Sequence, residues 1–165
     1  MAALAARDKI AGKGIAALIR IEVGAEIDRP VADVFAYLSD PKNLPEWNAL
    51  VEEAKGSESP LRVGSTITTR AHFLGRKIEA VARVTEHLSG EKFTQKATEP
   101  FPLTISNVFA VAGGGTRVTT IFEGEPGGFF KIGEPILARI VKKQMQAQLD
   151  TLKELLEART PAGVW

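Results

Sequence analysis

From Gly133 to Arg159 the chain runs for about seven helical turns with Pro135 as its sole breaker and no further glycine. At roughly 100° per residue, Leu137, Val141, Met145, Leu149, Leu152, Leu155 and Leu156 fall in one arc. Arg139, Lys142, Lys143, Gln146, Asp150, Lys153, Glu154 and Glu157 fall opposite. A helix this long with one dry face has to lie on an apolar surface supplied by the rest of the chain. Gln148 stands near the middle of the dry arc and Gln144 at its edge.

The surface beneath that helix reads as sheet. Ile21, Val23, Ala25 and Ile27 alternate with Glu22, Gly24 and Glu26, the period-two pattern of a strand with one wet side. Pro30 then opens a short amphipathic helix carrying Val31, Val34, Phe35 and Leu38 and ending near Asp40 and Pro41. The two prolines within Pro41–Trp47 leave room for a single further helical turn. Six strand segments follow, at Leu50–Lys55, Ser65–Leu74, Arg76–Glu86, Lys92–Thr98, Leu103–Val111 and Arg117–Glu123, bounded by Gly, Pro or Ser. Ile78, Ala80, Ala82 and Val84 share one face, as do Leu103, Ile105, Asn107, Phe109 and Val111. The fold class is therefore α+β: a curved seven-stranded antiparallel sheet around a long C-terminal helix, with two short helices after the first strand. One straight helix rarely fills the concavity of a curved sheet, so an apolar cavity is expected between them. Residues 1–19, Ala-rich but broken by Gly12 and Gly14, read as an N-terminal extension, residues 20–158 as a single domain, and residues 159–165 as a tail.

Composition narrows the function classes. With 44% hydrophobic and 25% charged residues over 165 positions, the chain matches an ordinary globular domain. Its 21 basic and 20 acidic side chains leave a formal charge of +1, too weak a field to draw in nucleic acid, and no such partner is expected. The absence of cysteine removes disulfides, thiolate metal sites and cysteine nucleophiles, and fits a reducing, cytoplasmic setting. With His72 and His87 as its two histidines, a metal centre would rest almost wholly on carboxylates; no metal and no cofactor is expected. No apolar run approaches the roughly 20 residues of a membrane span, and none forms a signal-peptide core. Stable membrane insertion is not expected, while Lys131, Arg139, Lys142 and Lys143 leave transient contact with anionic headgroups open. Monomer and homodimer both remain compatible.

Several stretches in this order resemble one family. They are Ile27-Asp28-Arg29-Pro30, Val34-Phe35-Ala36-Tyr37-Leu38-Ser39-Asp40-Pro41, Leu44-Pro45-Glu46-Trp47 and Leu61-Arg62-Val63-Gly64, then Gly113-Gly114-Gly115-Thr116-Arg117-Val118 and the Gly124–Gly128 loop before the last helix. Over about residues 20–158 the chain resembles the START-like helix-grip proteins, the broad group labelled polyketide cyclase/dehydrase and lipid transport, also called SRPBCC. The resemblance implies a deep cavity between sheet and terminal helix. Different members use it to carry lipids or hormones, or to cyclise and dehydrate aromatic precursors, and the fold does not choose among these uses.

The expected occupant is one small hydrophobic or amphipathic ligand, lipid or polyketide-like. Ile67, Phe73, Ala80, Phe109 and Leu149 are the expected walls, and Trp47, at the position of the family's aromatic after the short helices, offers a flat surface. Asn107, a carboxamide among apolar neighbours, must find a partner or face the ligand, and Gln148 and Gln95 join it in orienting a polar end. The competing reading is a cyclase or dehydratase in the same cavity, with Arg70 polarising a carbonyl, His72 shuttling a proton and Tyr37 as general acid. It fits less well, because Arg70 and His72 share the parity of Thr66 and Thr68, opposite the more apolar Ile67, Thr69, Ala71 and Phe73, and Tyr37 lies roughly 100° or more off its helix's stripe. Glu52 and Glu53, as strand neighbours, are expected on opposite faces, unable to flank one bond. His87 reads as an exposed hairpin residue. The Gly124–Gly128 loop lacks the Gly-Lys-Ser/Thr ending of a phosphate loop and reads as a lip of the cavity.

Overall fold

The structure, a computed structural model, describes residues 18–159. The N-terminal extension up to residue 17 and the tail from residue 160 expected from the sequence lie outside the described residues. Strand β1 (Ile19–Ile27) is followed by helix α1 (Val31–Leu38), a single 3-10 turn (Pro41–Asn43) and the short helix α2 (Leu44–Trp47). Strands β2 (Val51–Gly56), β3 (Thr66–Phe73), β4 (Arg76–Leu88), β5 (Lys92–Ala97), β6 (Leu103–Ala112) and β7 (Gly115–Gly124) come next, and helix α3 (Glu134–Ala158) ends the domain. The strands form one antiparallel sheet in the order β1-β7-β6-β5-β4-β3-β2. This is the expected α+β helix-grip architecture. β1 begins at Ile19, two residues before the first residue of its alternation, because Ile19 pairs with Gly124 and is buried.

Two β-bulges redirect side chains that a strict period of two would misplace. The first, between Val51 and Glu53, leaves Glu52 without a ladder partner. Glu53 then pairs with Arg70 and Glu52 with His72, so both carboxylates lie on the outer face, contrary to the expectation of opposite faces. The second, between Val84 and Glu86, turns His87 inward. Instead of an exposed hairpin residue, His87 is half-buried in β4, with ring contacts to Phe35 at 5.3 Å and Phe93 at 5.9 Å.

The Gly113-Gly114 turn of the β6–β7 hairpin uses positive φ angles of 53° and 85°, and β7 therefore starts earlier than predicted, at Gly115. A Cβ on Gly115 would stand 2.4 Å from the Ile27 carbonyl oxygen, so the close approach of β1 to β7 requires glycine there. Val111, assigned by parity to the inner face, is 75% exposed, because the hairpin runs past the end of the core.

α3 buries Leu137, Met145, Leu149, Leu152 and Leu156, five residues at helical spacing, against the sheet. It is tied down along β1: Gln146 Nε2 donates to the Gly24 carbonyl at 3.1 Å and Lys153 Nζ to the Glu26 carbonyl at 2.7 Å. Its end is closed by Arg29, a buried residue in the β1–α1 turn. Arg29 Nη1 donates to the carbonyls of Leu156 at 2.7 Å and Arg159 at 2.9 Å, and Nη2 to Asp33 at 3.0 Å. The Asp28 N–H donates to Glu157 at 2.8 Å. Hydrogen bonding from Lys153 first, and from this N–H second, holds the Glu157 carboxyl below its ordinary value of 4.5.

Two outcomes follow for stability. Arg29→Met should cost about 2–4 kcal/mol, since it strips partners from buried carbonyls and leaves Asp33 without its cation, read as a lower urea midpoint at unchanged slope. Glu157→Gln should be less stable than the parent at neutral pH. Because the folded-state value is depressed, that deficit should vanish as pH falls through it, so the two acid-unfolding curves converge at low pH.

Candidate functional site: the cavity beneath the terminal helix

The concave face of β3, β4 and β5 carries small side chains where a filled core would carry large ones. Thr69, Ala80, Ala82 and Ala97 face the underside of α3 and α2, and the space they leave is an inner chamber of about 220 Å³. Ile67, Phe93, Ile105, Phe122, Met145 and Leu149 supply most of the apolar wall, with Trp47 and Leu44 of α2 across from them. A second chamber of about 200 Å³ adjoins it towards the N-terminus of α3, lined among others by Phe73, Ile78, Phe101, Phe130 and Val141. The chambers share Val51, Ile105, Phe122, Met145 and Gln148 as walls.

Aromatic rings border the outer chamber. Phe129 and Phe130, on the loop that leads into α3, stack edge-on at 4.9 Å, and Phe130 meets Phe73 at 5.3 Å and Phe101 at 5.8 Å. Arg76, at the start of β4, holds this lip by donating to the Phe129 carbonyl at 2.9 Å and resting its guanidinium 4.1 Å above the Phe129 ring. Pro126 and Phe130 line the chamber directly. The consecutive aromatics between Gly128 and Gly133 were the available sequence signal for this lip, but neither Arg76 nor Phe101 carries any local mark of joining it.

Polar groups enter the cavity at few points. Asn107, 4% exposed, accepts a hydrogen bond from Thr120 Oγ1 at 2.7 Å through Oδ1, and its Nδ2 has no protein acceptor among the described residues. Gln95 on β5 and Gln148 on α3 line the inner chamber, and Gln144 the outer one; among the described residues their side-chain amides have no protein partner. Trp47 Nε1 is buried without an acceptor. Thr120, which sequence reasoning did not single out, follows from the β7 alternation Val118, Thr120, Phe122, although its pairing with Asn107 becomes visible only in the β6–β7 register.

Among the ligand-facing residues expected from the sequence, Trp47, Ile67, Ala80, Gln95, Asn107, Gln148 and Leu149 come together around the inner chamber, and Phe73 lies in the outer one. Phe109 does not line either chamber. It packs against Phe35, ring centres 5.0 Å apart, in the hydrophobic core beneath α1.

The three acid–base candidates lie outside. Arg70 and His72 are exposed on the convex face, Arg70 in an ion pair with Glu53 and His72 Nδ1 against the Glu52 carboxylate. Tyr37 is buried although it sits off the helix stripe, because Arg159 covers its ring at 4.6 Å, beyond the cavity walls. Burial, with the nearby Glu46 carboxylate, pushes its phenol above the ordinary value. Among the described residues no three His, Asp or Glu side chains are grouped to hold a metal ion, and no helix is long and apolar enough to cross a membrane.

A curved seven-stranded sheet that grips one long helix, with an apolar cavity between them, defines a helix-grip protein. Residues 19–157 match the model of the family described as polyketide cyclase/dehydrase and lipid transport, and the chain belongs to that family. No curated protein matches it. Among solved structures, protein CV1439 from Chromobacterium violaceum is 21% identical, with a TM-score of 0.65 over 86% of this chain and 99% of that one. TTHA0849 from Thermus thermophilus is 17% identical, with a TM-score of 0.70 over 85% and 99%. The di-domain ARO/CYC StfQ from the steffimycin biosynthetic pathway is 16% identical, with a TM-score of 0.69 over 93% of this chain and 59% of its own. At these identities the likeness is one of fold.

Ala80→Phe tests whether the inner chamber is the binding space. The ring should occupy the void with a stability change within about 1.5 kcal/mol and lower the affinity for the neutral apolar probe N-phenyl-1-naphthylamine by at least about tenfold, read by probe fluorescence.

Proposed function

We propose that this protein binds or carries one small hydrophobic or amphipathic ligand, lipid or polyketide-like, in the cavity between sheet and α3, in the cytoplasm and without chemistry. The observation that carries the reading is the cavity itself: apolar walls, with the Asn107 side chain among them and no protein acceptor at its Nδ2 among the described residues. The Nδ2 group, bonded to no protein acceptor among the described residues, is free to donate to a ligand oxygen. Family membership and the fold agree with a ligand-holding role.

The alternative is a cyclase or dehydratase acting on an aromatic polyketide-like substrate, favoured by the family's description and by the ARO/CYC name of the StfQ neighbour. That chemistry asks for an acid or base within hydrogen-bond reach of the substrate. The contacts of Arg70 and His72 with carboxylates on the convex face, and the burial of Tyr37 under Arg159, weigh towards the carrier.

Native mass spectrometry of the protein purified from its own host should show a stoichiometric small-molecule adduct that is lost on denaturation. An empty protein that also fails to bind N-phenyl-1-naphthylamine would refute the carrier reading. Asn107→Leu should weaken a carbonyl- or hydroxyl-bearing ligand by about 1–3 kcal/mol, and unchanged affinity in calorimetry would remove Asn107 from the site. Arg70→Ala should leave affinity unchanged, and substantial loss would favour the enzyme.

A further inference from the structure

We infer that the occupant of the cavity is an electrically neutral molecule whose polar end presents a carbonyl, ether or hydroxyl oxygen, and that carboxylates, phosphates and ammonium compounds are discriminated against. The inference rests on the ligand-binding reading above and goes further, from apolar ligands in general to one charge class.

Every polar side chain that faces the two chambers is uncharged. Asn48, Thr69, Gln95, Asn107, Thr120 and Gln148 are amides and hydroxyls drawn from α2's end, four different strands and α3, and Ser39 and Gln144 complete the set with one more hydroxyl and one more amide. An ion entering such a space leaves its hydration behind and meets no counter-charge, and a neutral polar group loses far less on the same transfer. The cations that could pair with an acid are engaged elsewhere: Arg70 with Glu53 on the convex face, Arg76 with the Phe129 carbonyl at the lip, Arg29 with the end of α3. Neutral donors do hydrogen-bond anions, but the amides here, Gln95 and Asn107 on the sheet and Gln148 on the helix, bring no charge to offset the lost hydration of an ion.

The Asn107–Thr120 pair fixes the sense of the remaining hydrogen bond. Thr120 donates to Asn107 Oδ1 at 2.7 Å, so the carboxamide is held with its oxygen engaged and its NH₂ unpaired. Asn107 is 4% exposed and so accessible only from the cavity side, where its natural complement is an acceptor oxygen. The rest of the inner wall, with Ile67, Phe93, Phe122 and Met145, takes an apolar body.

Decanamide and decanoate have nearly the same shape and differ in charge near neutral pH, which makes them a direct test by displacement of N-phenyl-1-naphthylamine from the full chain. Decanamide should displace the probe at a concentration at least about tenfold lower than decanoate. Equal or better displacement by decanoate would overturn the charge inference while leaving ligand binding intact. Failure of the probe and of both amphiphiles to bind would overturn the binding reading and this inference together. Gln148→Lys, and independently Thr69→Lys, would place an ammonium in the chamber. Loss or reversal of the decanamide preference in either variant, with its folded circular-dichroism spectrum retained, supports the uncharged lining as the cause. Retention of the full preference in both folded variants overturns it.

Discussion

The last turn of α3 contains no basic side chain, so the negative end of its dipole meets no charge from that turn, and the Leu156 carbonyl receives from its own helix end only the Arg159 N–H at 3.3 Å. Arg29, more than a hundred residues earlier, supplies the missing charge from the turn after β1 and is itself buried in doing so. Its backbone carbonyl also accepts from the buried Thr116 hydroxyl at 2.8 Å, which joins the same point to the start of β7. Helix end, first strand and last strand thus meet at one residue, Arg29, the helix through its guanidinium and β7 through its backbone carbonyl. The bonds from Gln146 and Lys153 to carbonyls of β1 continue the attachment along the sheet edge.

A helix anchored at one end and along one edge cannot settle onto the middle of a curved sheet, and here the middle strands turn small residues towards it. Ala80, Ala82, Ala97 and Thr69 leave a void where larger side chains would have made a solid core. The region beneath α1 shows the contrast, for Phe35 meets Phe109 and His87 edge-on and His87 meets Phe93. The open end is bordered by rings on a loop. The cavity is therefore a consequence of where bulk was placed along each strand as much as of the curvature of the sheet.

Charge is sorted by face. The convex side of β2 and β3 holds Glu52, Glu53, Arg70 and His72 in exposed pairs, which contribute little to stability but keep these groups solvated and away from the cavity. The concave side holds amides and hydroxyls. Alternation along β3 produces this separation, with the β2 bulge bringing a second carboxylate to the outer side.

Much of this was legible in the residues. The stripe of α3, the inner parity of Ile67 and Ala80, the odd carboxamide at Asn107 and the outward parity of Arg70 and His72 are local patterns, and the side chain's period in a strand or helix is dictated by the backbone alone. What the pattern could not supply was anything that depends on a partner distant in sequence or on a break in the period. The bulges at Glu52 and Thr85 shift parity without a sequence mark, which is why His87 turned inward and the two glutamates turned the same way. Phe109 has the parity of a cavity wall, but whether a wall is lined or filled depends on what packs opposite, and that is Phe35. Arg29 and Arg76 are ordinary arginines in the sequence, and only the folded chain brings a helix end to one and an aromatic lip to the other. The sequence by itself determined the elements and the faces they present, because those follow from backbone geometry and apolar spacing. The tertiary structure decided which faces meet and where space remains between them, because packing is a property of pairs of surfaces that the chain brings together only on folding.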